Sequence, residues 1–228
     1  MNMSRNMPEQ DVVVHADDAR LAGIITLPER TSALVLFAHG SGSSRLSPRN
    51  RYVATQLNEG GLGTLLFDLL TAKENLIDEQ TREIRFDIDL LSRRLIGAID
   101  WANNQPETRG MSLGLFGAST GSAAALNAAA ARPTLVEAVV SRGGRPDLAS
   151  QPELVKAPTL LIVGGLDTAV IEMNRKTAQR LSTTHQIEIV PGATHLFEET
   201  GTLEQVAQLA CRWFRHHLIA NRLPAAED

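Results

Sequence analysis

Three side chains of the kinds needed for acyl transfer each stand just past a different segment that reads as a strand: Ser119, Asp167 and His195. A serine hydroxyl is a poor nucleophile until a base takes its proton. Histidine can do this near neutral pH because its ordinary pKa is about 6.5, and a carboxylate on the far ring nitrogen fixes the tautomer and stabilises the imidazolium. The serine lies in Gly117-Ala118-Ser119-Thr120-Gly121, where the apolar run 111–116 passes at once into an alanine-rich segment. Gly-x-Ser-x-Gly at such a junction is a strand–turn–helix bend. It exposes the hydroxyl and points the next backbone N–H groups at whatever the serine attacks. Singly, each residue has a plainer reading: Ser119 as a small residue between strand and helix, Asp167 as a helix N-cap, His195 as a polar loop residue. Jointly the plainer readings require three coincidences at one sheet edge. Asp147, beyond the preceding strand, is the alternative acid.

A tetrahedral intermediate also needs preorganised donors for its oxyanion. The residue after the nucleophile, Thr120, supplies one backbone N–H, and the glycine-rich stretch His39-Gly40-Ser41-Gly42 after an earlier strand supplies the second, assigned to Ser41. The alternative is a glycine–serine turn without a role. Arg45, Arg142 and Arg145 fall on loops near the same edge, where a guanidinium could hold a substrate carboxylate or phosphate. Bracing a loop is the competing role for each. Asp68 ends a strand beside the site and reads as structural. His216 and His217 are adjacent on a helix and point apart, so no metal site is expected. Gly40-Ser41-Gly42 lacks the third glycine of a dinucleotide fingerprint, and no Gly-Lys-Ser/Thr is present for a phosphate loop.

These residues need a frame. Segments 12–14 and 21–27 flank a polar turn and read as an antiparallel hairpin. Run 33–38 is continuously apolar, as expected of a strand covered on both faces, and 64–67, 111–116, 136–140, 159–163 and 186–190 read as further strands. Between them, Ser47-Pro48 opens a helix that Gly60-Gly61 ends. The stretch 69–80 is polar and reads as irregular, and from Thr81 apolar residues recur at helical spacing to Ala98. An alanine-rich helix follows Ser119, another spans 170–181, and Thr202-Leu203-Glu204-Gln205 reads as a capping box for the last. Strands alternating with amphipathic helices imply a mostly parallel sheet with helices on both faces. Ligands then collect at the carboxyl edge of the strands.

Composition narrows the classes. The 228 residues are 43% hydrophobic and 21% charged, with a net charge of −4, which opposes a duplex nucleic-acid binder. Aromatics at 4% offer no stacking platform for single strands. Cys211 is the only cysteine, excluding an internal disulfide. No apolar h-region or membrane-length run is present. The expectation is one domain over 11–220, flanked by loose tails 1–10 and 221–228. The protein is expected to be cytoplasmic, to take a small-molecule substrate, and to engage neither nucleic acid nor membrane.

The motifs His39-Gly40-Ser41-Gly42, Gly117-Ala118-Ser119-Thr120-Gly121, Gly165-Leu166-Asp167 and Gly192-Ala193-Thr194-His195, in the order Ser, Asp, His, resemble a small α/β-hydrolase of the dienelactone hydrolase-like group. The resemblance runs from about Val12 to Leu218 and implies an eight-stranded sheet, serine esterase chemistry and no organic cofactor. One departure stands out: dienelactone hydrolases proper use a cysteine nucleophile, and this chain has Ser119. A general ester or thioester is therefore favoured over the family's lactone. Segment 141–158 is too short for the lid domain that larger relatives insert, so an open site is expected. The activity expected is hydrolysis of a small ester, thioester or lactone through an acyl-enzyme, falling as His195 protonates around pH 6–7. Alternatives are a non-catalytic small-molecule receptor or scaffold on the same fold, or a triad enzyme performing carbon–carbon bond hydrolysis or perhydrolysis.

Overall fold

The computed structural model describes residues 8–16 and 19–220. The hairpin β1 (Glu9–Ala16) and β2 (Ala19–Thr26) leads into β3 (Ala33–Ala38) and helix α1 (Pro48–Glu59). Then come β4 (Gly63–Phe67), α2 (Ala72–Thr81), α3 (Ile88–Asn104), β5 (Ser112–Ala118) and α4 (Gly121–Ala131). The chain continues through β6 (Val136–Arg142), β7 (Thr159–Gly164), α5 (Thr168–Ala178), β8 (His185–Val190) and α6 (Thr202–Phe214). The strands form one eight-stranded sheet in the order β1-β2-β4-β3-β5-β6-β7-β8. β1/β2 and β2/β4 are antiparallel and every other pairing is parallel. This is an α/β-hydrolase fold. Segment 143–158 between β6 and β7 holds two single 3-10 turns, Pro146–Leu148 and Pro152–Leu154, and no lid.

Both faces of the sheet are covered, which is why the central strands are apolar without alternation. On one face the alanines of α4 (Ala123, Ala124, Ala128) and Leu91, Leu95 and Ala98 of α3 pack with Leu36, Leu115 and Val139. On the other, Val53 and Leu57 of α1 and Val206, Ala210 and Phe214 of α6 pack with Phe37, Phe116 and Val140. Alternate residues of each strand thus feed opposite cores, and β5 is locked between both.

Several expectations are corrected. β1 begins at Glu9, inside the segment read as a tail, because Glu9 and Gln10 pair with Thr26 and Ile25. The remaining tail residues 1–7 and 221–228 lie outside the described residues. Stretch 69–80, read as irregular, contains α2. Thr71 and Glu74 close a reciprocal capping box there, and Asp78 is the helix's one buried residue, so no apolar stripe announced it. The helix read as starting at Thr81 starts at Ile88, capped by the Asp87 carboxylate on the Leu90 N–H. The capping box expected at Thr202 does not form. The chain enters α6 through Gly201 at φ 80°, and the Thr202 hydroxyl donates to the Glu199 carbonyl instead. Finally, β6 runs on past its apolar core to Ser141 and Arg142, which pair in register with Leu161 and Ile162. Arg142 is therefore in a strand and buried, not on a loop.

Candidate active site

Ser119 joins β5 to α4 at φ 50°, a left-handed conformation that side chains seldom adopt. The surrounding bonds hold it there. The Ser119 N–H donates to the Arg142 carbonyl at 3.2 Å, and the Ser119 carbonyl accepts from Ser122 and Arg145 N–H groups at 3.1 and 3.0 Å. The flanking glycines make room. A Cβ on Gly117 would lie 2.5 Å from Ser122 Cα, and one on Gly121 2.7 Å from the His39 carbonyl oxygen. The bend is thus pressed against the ends of β3 and β6.

Asp167 and His195 come from the loops after β7 and β8, which are laced to each other. Gly165 N–H donates to the Val190 carbonyl at 2.8 Å and Leu166 N–H to the Ala193 carbonyl at 2.9 Å. Asp167 holds the N-cap position of α5, yet its carboxylate does not cap the helix. It accepts from His195 Nδ1 at 2.7 Å instead. A carboxylate only accepts, so in the neutral ring this contact selects the tautomer with the proton on Nδ1 and the lone pair on Nε2. His195 and Ser119 line one cavity of about 270 Å³. Among the described residues their side chains are not hydrogen-bonded to each other, as is common before substrate tightens such contacts.

The loop after β3 is held by His39. Leu69 N–H donates to His39 Nε2 at 3.0 Å, so Nδ1 carries the proton that meets the Gly40 carbonyl at 2.9 Å. Burial holds the His39 pKa below the ordinary histidine value, against the opposing pull of the Gly40 carbonyl and Asp68, so the ring is a neutral brace. This places Gly40 against the elbow, where a Cβ would meet Ser119 Cβ at 3.1 Å. The next residue departs from expectation. The Ser41 N–H is not open but donates to Thr120 Oγ1 at 3.0 Å. The two residues assigned to the oxyanion are thus tied to each other through the threonine hydroxyl.

The three arginines divide. Arg45 is bound to Asp68, Nη1 to Oδ2 at 2.5 Å and backbone N–H to Oδ1 at 2.7 Å. Arg145 forks onto Asp147 with both contacts at 2.9 Å. Asp147, the alternative acid, is therefore engaged away from His195. Arg142 meets no carboxylate among the described residues: Nη2 donates to Asn50 Oδ1 at 3.0 Å, and the buried Nε has no acceptor. Burial and the neighbouring Arg49 lower its pKa to about 10. Arg49 and Asn50 line the same cavity, and sequence reading missed both. Their only signal is position, in the first turn of α1 just after Ser47-Pro48.

Among the described residues no group of three His, Cys, Asp or Glu side chains is placed to hold a metal ion, and no helix is long and apolar enough to cross a membrane. Residues 28–218 match the model of the dienelactone hydrolase family. A crystal structure of a dienelactone hydrolase from Anabaena variabilis is 55% identical, covers 94% of this chain and 100% of that one, and superposes with a TM-score of 0.92. An α/β serine hydrolase without a lid from Xanthomonas campestris shares the fold at 20% identity and a TM-score of 0.72, covering 96% and 97% of the two chains. Two curated relatives from Mycobacterium tuberculosis, which carry a provisional phosphoribosyl transferase name, are 54% identical over 211 residues, 92% of this chain. The chain spans about half, 47%, of their length.

Proposed function

Because the chain belongs to the dienelactone hydrolase family, we propose that it is a serine hydrolase that cleaves a small carboxylic ester, thioester or lactone through an acyl-enzyme. The observation that carries this reading is the carboxylate–imidazole pair, Asp167 to His195 at 2.7 Å, opening on the same cavity as a serine held at φ 50°. Ser119 Oγ attacks the carbonyl carbon while His195 Nε2 takes its proton, and Asp167 stabilises the imidazolium. The carbonyl π electrons move to oxygen, which the Thr120 and Ser41 N–H groups hold. The Thr120 hydroxyl must yield the Ser41 N–H at that moment, and it can turn its own O–H to the same oxygen. Collapse expels the alkoxide or thiolate, which takes the proton from His195. Water, deprotonated by the same ring, then releases the acid and restores Ser119.

The phosphoribosyl transferase name belongs to proteins twice as long, and transfer at a sugar carbon has no need of an activated serine. A chromogenic short-chain ester tests the hydrolase reading: Ser119→Ala is expected to lower kcat at least about a thousandfold and to abolish labelling by a fluorophosphonate. Tight small-molecule binding with turnover at the uncatalysed rate in the unaltered protein would favour the receptor instead. The cavity, about 270 Å³, suits small acyl groups.

A further inference from the structure

Resting on the hydrolase reading, we propose that Asn174 is a positioning residue for the nucleophile: it pins the end of β6 and the loop after it, segment 142–145, to helix α5 and so sets the separation of Ser119 and His195. That segment grips the elbow residue at both of its backbone groups. Ser119 N–H donates to the Arg142 carbonyl at 3.2 Å, and Arg145 N–H donates to the Ser119 carbonyl at 3.0 Å. Between the two grips the chain runs past the base. Gly143 lies at φ 51°, and a Cβ on it would stand 3.0 Å from the His195 carbonyl oxygen and 3.7 Å from the ring carbon Cε1. One short segment thus meets the nucleophile on one side and the base on the other, and a shift in it changes the distance between them.

The segment is anchored at two points. Gly143 N–H donates to the Ile162 carbonyl of β7 at 2.8 Å, just past the last ladder pair of β6. The next residue, Gly144, is held by Asn174, whose Nδ2 donates to the Gly144 carbonyl at 3.0 Å and to the Val170 carbonyl, one turn back on α5, at 2.8 Å. Gly144 has no slack there, because a Cβ on it would collide with the hydroxyl oxygens of Ser141 and Ser122. Helix α5 begins at the triad acid: Asp167 is its N-cap residue, and Ile171 N–H donates to the Asp167 carbonyl at 3.0 Å. Asn174 therefore ties the grip on the nucleophile to the helix that carries the acid. Its own bonding argues that this tie, rather than packing, is its role. Asn174 is fully buried, and its Oδ1 has no donor among the described residues. A buried amide oxygen left unmatched is costly, and an apolar residue of similar size would avoid that cost. What only the amide supplies is a pair of N–H donors, and one of the two bonds reaches beyond the helix.

The test compares Asn174→Leu, which keeps the volume and removes both donors, with Thr177→Val on the same helix. Thr177 is also buried, but its hydroxyl donates only within α5, to the Met173 carbonyl at 3.1 Å. With 4-nitrophenyl butyrate, Asn174→Leu is expected to lower kcat about ten- to hundredfold with KM within about twofold, because what is lost is the alignment of Ser119 with His195 and not the binding of the ester. The rate of labelling by a fluorophosphonate should fall with kcat. Thr177→Val should keep kcat within about twofold, even where its melting temperature falls as far as that of Asn174→Leu. If Asn174→Leu does not fold, Asn174→Thr takes its place. A threonine there can bond the Val170 carbonyl as Thr177 bonds that of Met173, so only the tie to Gly144 is lost, and the same fall in kcat is expected. Unchanged kcat in the Asn174 variant, or an equal fall in Thr177→Val, overturns the proposal. The two readings fail differently. Full turnover by Ser119→Ala removes the hydrolase reading, whereas serine-dependent turnover that is indifferent to Asn174 removes only the positioning role.

Discussion

Asp147 and Asp167 both follow strands at the carboxyl edge of the sheet, and their partners separate two regions of that edge. Asp167 stands where a helix cap belongs, yet it turns to His195 at 2.7 Å. Asp147 lies in a 3-10 turn and is held in a fork by Arg145 at 2.9 Å. On the far side of the elbow Arg45 occupies Asp68 with one guanidinium contact and its own backbone N–H. Residue type and strand-end position are alike in all three. What differs is whether the neighbouring loop delivers an imidazole or a guanidinium, and that depends on which loops are laced together. The loops after β7 and β8 share backbone hydrogen bonds, so Asp167 and His195 have little freedom to miss one another.

The largest expected effect separates the two aspartates. Asp167→Asn is expected to lower kcat by about 10³–10⁴, because the neutral amide no longer stabilises the imidazolium and can hold the wrong tautomer. Asp147→Asn should stay within about threefold in kcat, and its loss should appear in thermal melting, since only a partly exposed pair is weakened. Steady-state kinetics of both variants on one ester would break the comparison if the order were reversed.

The strand-end placement of Ser119 and Asp167 was legible because the buried parallel strands β5 and β7 leave largely apolar runs a few residues before them, whereas the strand before His195, with the sequence HQIEIV and mostly unburied, is marked only by alternation. The elbow was legible because its glycines are demanded by contacts as close as 2.5 Å. Other features left no such trace. Helix α2 turns nearly all its residues to solvent and is held by the Thr71–Glu74 box and the Asp78–Arg85 pair, so it shows no apolar period. Arg142 reads as a loop residue because the apolar run ends at Val140, whereas ladder pairing with β7 carries the strand two residues further. The identical-looking signature at Thr202 failed because Gly201 sets the entry angle of α6. For Arg142 the deciding partner is distant in sequence, while for α2 and α6 it is local but polar or conformational, so it leaves no apolar period.

A middling effect is expected at Thr120, where the two oxyanion residues meet. Its hydroxyl accepts the Ser41 N–H at 3.0 Å at rest and turns its own O–H to the oxyanion in the proposed mechanism. Thr120→Val keeps the shape and removes that O–H donor, and kcat should fall about five- to tenfold for the loss of one hydrogen bond of about 1 kcal/mol. Thr120→Ser should retain most of the rate. In the bracing region, by contrast, Asp68→Asn should change kcat less than threefold while lowering the melting temperature by roughly 2–4 °C, for about 1 kcal/mol of lost pairing.

The smallest effect lies in His39, the brace beside Asp68, and it is read in stability against pH. Burial lowers its folded-state pKa below the unfolded value of about 6.5, with Gly40 and Asp68 opposing. Above pH 6.5 the ring is neutral in both states and contributes no pH dependence. As the pH falls below that, the unfolded chain binds the proton first, so stability declines toward the folded-state pKa. The sign follows from the bonds as well. Protonation would put a second N–H on Nε2, opposite the Leu69 N–H that now donates to it. His39→Gln keeps an acceptor and a donor without titrating, so its melting temperature should fall less than the wild type's between pH 7 and 5, by roughly 2 °C or more. Every other titrating group is common to the two proteins, so the difference between their melting curves isolates this ring. A difference that stayed flat, or that grew as the pH rose, would mean that His39 is not held neutral, and the bracing role assigned to the loop after β3 would have to be given up.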